Sequence, residues 1–82
     1  MNIKDLIKQF IHTEIVYEQG NIRLEDTTQL LDEGIIDSLG IMKLLAFLEK
    51  TFSIRMNEDE LIPENFGSIE IISFLVEKKI KL

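Results

Sequence analysis

Leu31-Asp32-Glu33-Gly34-Ile35-Ile36-Asp37-Ser38-Leu39-Gly40 is the stretch from which the rest of the chain can be read. Gly34 marks a turn, and beyond it an aspartate and a serine stand directly before an apolar pattern of helical period. Ile41, Leu44, Leu45, Leu48 and Phe52 recur at three- and four-residue steps, which predicts a helix from about 38 to 52 with one core-facing side. The opposite side carries Leu39, Lys43, Ala46, Phe47 and Lys50. Ser38 therefore opens a helix, where unpaired backbone N–H groups and the positive end of the dipole would stabilise an attached phosphate. Serine is also a favoured helix cap, so a purely structural cap is the competing reading of Ser38.

Working outward, Ile3, Leu6, Ile7, Phe10, Ile11 and Ile15 form one apolar stripe, which predicts a first helix over about 3–18. Asn2 is its expected N-cap and Gly20 its stop. Residues 20–37 then lack a period, but Ile22, Leu24, Leu30 and Leu31 are spaced to pin a long loop to the core. Downstream, Glu58-Asp59-Glu60-Leu61 reads as a short third helix over about 58–62, with Pro63 helping to end it. Ser68 can cap a last helix over about 68–80, with Glu70 at its positive end and Lys78, Lys79 and Lys81 at its negative end. The Ile- and Val-rich run Ile69 to Val76 also admits a strand, but no second strand pattern exists to pair with it. The expected fold is all-α: a small four-helix bundle with a long first connection, in one domain spanning 1–82.

Composition narrows the function. A chain of 82 residues has one small core, and its 45% apolar content is that of a folded domain. The net charge of −6 arises between Glu25 and Glu60, where nine acids face Lys43, Lys50 and Arg55. Such a chain is a poor ligand for nucleic acid, which demands clustered cations, and a good one for a basic protein surface. No apolar run is long enough to span a membrane, and the first residues lack the apolar stretch of a secretory signal, so a cytoplasmic location is expected. There is no cysteine, hence no disulfide, thiolate metal site or cysteine nucleophile.

The Asp37-Ser38-Leu39 tripeptide at a helix start resembles the attachment site of acyl and peptidyl carrier proteins. The amphipathic first helix, the long loop, Gly34 before Asp37, Phe52 after Ser38 and the segment Ile62-Pro63-Glu64-Asn65-Phe66-Gly67-Ser68-Ile69 fit the same pattern, in the same order along nearly the whole chain. The resemblance implies a non-catalytic, monomeric carrier with a 4′-phosphopantetheine arm on Ser38, attached by a phosphopantetheinyl transferase that uses coenzyme A and magnesium. Asp37 and Leu39 would mark the site for that enzyme. The arm would hold acyl or aminoacyl groups as thioesters for a loading ligase and downstream transferases. Leu39, Lys43, Ala46 and Phe47 are the expected partner contact. Lys43, Lys50 and Gly40 depart from the acidic second helix of fatty-acid carriers, and Asp32-Glu33-Gly34 with Asp37-Ser38-Leu39-Gly40 is similar to D-alanyl carrier proteins. A specialised pathway is therefore expected.

Two other functions fit the residues. One is an unmodified acidic helical interaction domain; the other is an ion-binding bundle using Glu58-Asp59-Glu60. The latter lacks the alternate-position acids of a calcium loop. His12, the single histidine, stands on an ordinary amphipathic helix with no neighbouring ligand or triad partner. Met42 and Met56 read as core filler.

Overall fold

A computed structural model describes residues 2–15 and 23–80. Helix α1 (Ile3–Phe10) starts where Asn2 accepts a hydrogen bond from the Asp5 N–H at 2.8 Å, and its coil continues as a wider π turn over Ile11–Ile15. Ile7 and Ile11 on the inner stripe are fully buried. The expected end of this helix at 16–18, its stop at Gly20 and the anchor Ile22 lie outside the described residues.

Helix α2 (Ser38–Phe52) buries Gly40, Leu44 and Leu48 and half-buries Ile41, Leu45 and Phe52. It ends at Ser53, whose left-handed backbone (φ 55°) turns the chain while its N–H and that of Ile54 both donate to the Glu49 carbonyl. Helix α3 (Ile69–Ile80) buries Ile69, Ile72, Ser73, Leu75 and Val76. The Ser68 hydroxyl caps it by accepting from the Ile71 N–H at 3.2 Å. The strand alternative for this segment is thereby excluded.

The third element differs from expectation. Among the described residues there are three α-helices, and two 3₁₀ turns, Glu58–Glu60 and Pro63–Phe66, stand where one short helix closing a four-helix bundle was expected. Pro63 opens the second turn rather than ending the first, a position in which its missing N–H costs nothing. Asn57 and Glu60 brace the first turn reciprocally: the Asn57 N–H donates to Glu60 Oε1 at 2.8 Å. Phe66, at the end of the second turn, is among the largest fully buried side chains.

The loop before α2 is pinned, as its apolar residues predicted, through Leu24 and Leu30, both buried, and Leu31, half-buried. Backbone bonds reinforce this. Leu30 N–H donates to the Gly67 carbonyl at 2.9 Å, and Glu70 N–H donates to the Asp26 carbonyl at 2.9 Å. Asp26 also draws Lys8 (3.2 Å) and Lys4 (3.5 Å) onto its carboxylate, tying α1 to the start of α3. The core formed by all these elements supports the first turn of α2 from below.

Candidate functional site

The first turn of α2 is assembled by two neighbours of Ser38. Ile36 is almost wholly buried (2% exposed) and anchors the chain just before the helix. Its N–H and that of Ile35 both donate to the Leu30 carbonyl, at 3.1 and 2.9 Å, after Gly34 has turned the chain with a φ of 71° that favours glycine. Asp37 is the cap: its backbone is extended, its carboxylate accepts from the Gly40 N–H at 2.8 Å, and its carbonyl accepts from the Ile41 N–H at 2.9 Å. Ser38 is thus not the cap, and the competing structural reading of that residue falls away. The side chain of Asp37, not that of Ser38, satisfies the helix end.

Two consequences follow for Ser38. It is solvent-exposed, and the backbone amides of Ser38 and Leu39 have no hydrogen-bond partner among the described residues. An exposed hydroxyl at the positive end of a fifteen-residue helix, beside two free N–H groups, suits the attachment of a phosphodiester. Esterification of that hydroxyl would displace no hydrogen bond among the described residues.

The face of α2 that continues from Ser38 differs in part from the wheel. Leu39 is 65% exposed and Lys43, Ala46 and Lys50 are exposed with it. Phe47, expected on this face, is instead half-buried: its ring stacks on Phe10 of α1 at 4.3 Å and meets Phe52 edge-on at 6.5 Å. Aromatic rings gain more from such mutual contact than from water, and position 47 lies on the edge of the wheel where α1 can reach it. Met42, expected in the core, is instead on the surface at 62% exposure, at the edge of this face away from Phe47. The helix therefore presents Leu39, Met42, Lys43 and Ala46 beside Ser38. Met56, by contrast, is buried.

Gly40 is the residue whose importance sequence alone concealed. A Cβ there would stand 3.1 Å from Ile36 Cγ2, closer than side chains normally pack, and at an ordinary 3.6 Å from Ile15 Cγ2, so glycine lets α2 settle on Ile36 without displacing it. A glycine in a first helical turn is a visible signal, but its reason is the buried Ile36 side chain, which the fold brings up against that turn.

Folding also redistributes the charge. Of the nine acids in the middle stretch, Glu25 pairs with Arg23, Asp26 with Lys4 and Lys8, and Glu60 with Lys79. The hydrogen bond from Lys8, with Lys4 beside it, holds the Asp26 carboxyl below its usual value; Lys79, aided by the Asn57 N–H, does the same for Glu60. The Glu49 carboxylate accepts from the Met56 N–H. Asp32, Glu33 and Asp37 remain as exposed acids leading up to Ser38. The triplet Glu58-Asp59-Glu60 does not converge: Glu60 is engaged by Lys79, and no grouping of three potential metal ligands occurs among the described residues. His12 is exposed on the π turn.

A family model described as a phosphopantetheine attachment site aligns with residues 3–72, from the start of α1 into α3, and so includes the first turn of α2. No curated protein sequence matches significantly.

Proposed function

We propose, since the chain belongs to the phosphopantetheine attachment family of acyl and peptidyl carriers, that its covalent 4′-phosphopantetheine is carried on Ser38. The observation that carries this reading is the exposed Ser38 hydroxyl at the first turn of α2, with Asp37 rather than Ser38 occupied in capping. When bound, the arm supplies a flexible tether ending in a thiol that holds acyl or aminoacyl groups as thioesters. The chain's own contribution is presentation. Asp37 and buried Ile36 fix the start of the helix that presents the serine, and the free amides of Ser38 and Leu39 would stabilise a phosphate attached there.

Carriers of this family work with a phosphopantetheinyl transferase and with separate enzymes that load and remove the cargo, and the carrier itself is non-catalytic. For those partners the exposed side of α2 offers Leu39, Met42 and Ala46 as apolar contact and Lys43 as a charge, with Asp32, Glu33 and Asp37 at one end. A cluster of exposed apolar side chains beside the modified residue is what transient docking requires. Lys43 and Lys50 set this surface apart from a uniformly acidic one, which supports a dedicated cytoplasmic pathway, of the D-alanyl or a related specialised kind, over general fatty-acid synthesis. Among the described residues no helix is long and apolar enough to cross a membrane.

Intact mass spectrometry tests the reading. Wild-type protein incubated with coenzyme A, magnesium and a promiscuous phosphopantetheinyl transferase gains one arm, and Ser38→Ala gains none. A wild-type chain that stays unmodified would instead favour an interaction domain that works through its acidic surface alone. For the docking face, Leu39→Asp and Met42→Asp slow loading by the cognate ligase while leaving the melting temperature unchanged. Normal loading of both variants removes the proposed contact.

A further inference from the structure

The structure holds an open groove of about 610 Å³ between the loop that precedes α2 and the start of α3. Leu31, Pro63, Gly67 and Ile71 give it an apolar lining, and Asp32 and Glu64 place two carboxylates on it. Among the described residues no cation lines it and neither carboxylate pairs with one. Ile71 stays 40% exposed there although α3 buries its neighbours Ile69 and Ile72 completely. A concave apolar surface with unpaired negative charge at its edge matches a small ligand with a short hydrocarbon part and an ammonium group.

The groove lies near Ser38. Ile36 N–H meets the Leu30 carbonyl at 3.1 Å, so the backbones of Leu31 and Ser38, one and two residues beyond that bond, are within about 15 Å of each other. The pantetheine portion of the arm is about as long as four extended residues, roughly 14 Å, and its phosphate and cargo extend it further. An arm of that length can span the separation between Ser38 and the Leu31 side of the groove. Tethering also supplies an effective concentration in about the millimolar range, enough to populate a weak site.

We infer that this groove receives the cargo end of the arm and that the cargo it suits is a short aminoacyl group, with the ammonium between Asp32 and Glu64 and the carbon chain on Leu31 and Ile71. The inference rests on Ser38 bearing the arm, and it adds a resting place that the α2 face does not provide. Docking there would keep the amine and the thioester against the protein between encounters with partner enzymes. The apolar part alone is too open to retain a neutral acyl group, so the carboxylates provide the selectivity.

Nuclear magnetic resonance on the ¹⁵N-labelled, modified protein decides it. Ser38 is loaded with arms ending in β-alanyl or butyryl through a stable amide, two groups of nearly equal shape that differ by one charge. The β-alanyl arm shifts the amides of Leu31, Gly67 and Ile71, the butyryl arm shifts them at most half as much, and Asp32→Asn with Glu64→Gln removes the difference. Added salt weakens the β-alanyl shifts, since the carboxylates are exposed. Equal shifts from both arms, or shifts confined to α2, overturn the inference while leaving the carrier reading intact. Failure of Ser38 to accept any arm, seen first by mass, overturns both.

Discussion

Replacing Gly40 with alanine separates the packing argument from ordinary helix propensity. In an exposed helix, alanine for glycine stabilises by about 1 kcal/mol. Gly40 is buried, and the added methyl would stand 3.1 Å from Ile36 Cγ2, 3.4 Å from Asp37 Oδ1 and 3.6 Å from Ile15 Cγ2. The first of these is too close for an ordinary contact, and Ile36 has no free space to retreat into at 2% exposure. Forcing a methyl group into a packed site costs about 1–3 kcal/mol. The crowding outweighs the propensity, and the net expectation for Gly40→Ala is a loss of about 1 kcal/mol, or about 4–8 °C in melting temperature for a domain of this size. Urea denaturation followed by circular dichroism measures it. A second substitution tests the cause: Ile36→Leu removes the crowding Cβ branch at nearly constant volume and alone costs under about 1.5 kcal/mol. In the double variant the two effects are not additive, and about 0.5–1.5 kcal/mol of the loss returns, within the usual range for residues in contact. A gain of about 1 kcal/mol in Gly40→Ala, or strict additivity with Ile36→Leu, refutes the reasoning.

Three further outcomes are expected. Asp37→Ala removes the carboxylate that accepts from Gly40 and destabilises the fold by about 1 kcal/mol, whereas Asp37→Asn keeps most of the cap; equal losses in urea titrations of the two variants would show that the cap contributes little. Phe47→Ala costs about 2 kcal/mol, less than for a fully buried ring, because its stack on Phe10 is lost; a variant as stable as wild type would restore Phe47 to the partner face. The carboxyls of Asp26 and Glu60 are held below their ordinary values of 3.8 and 4.5, so the stability they contribute is complete above those values and disappears as pH falls through the lower folded ones. Melting temperatures between pH 7 and pH 3 therefore decline less steeply in Asp26→Asn with Glu60→Gln than in wild type, and identical acid limbs would dismiss both pairs as contributors.

The helical pattern and the first turn of α2 are legible in the sequence because the forces that make them are local. A hydrophobic period selects a helix whatever it packs against, and that period places Ser38 at its start, although the cap itself falls to Asp37 rather than to Ser38, the cap candidate the sequence offered. The exposed serine after Asp37, the buried Leu24 and Leu30 of the loop, and the cap at Ser68 all follow from such short-range rules. What the wheel could not supply was the identity of the neighbour on each side. Phe47 lies inward because Phe10 happens to stand opposite it, and Met42 lies outward at 62% exposure, with no described helix covering that side of α2. Pro63 begins a turn that carries Phe66 into the core three residues on, and Gly40 answers to Ile36. The groove at Asp32 and Glu64 joins residues about thirty positions apart, and the pairing of Asp26 with Lys4 and Lys8 crosses from loop to α1. Contacts of that kind depend on how the elements come to rest against one another, and only the folded chain decides them.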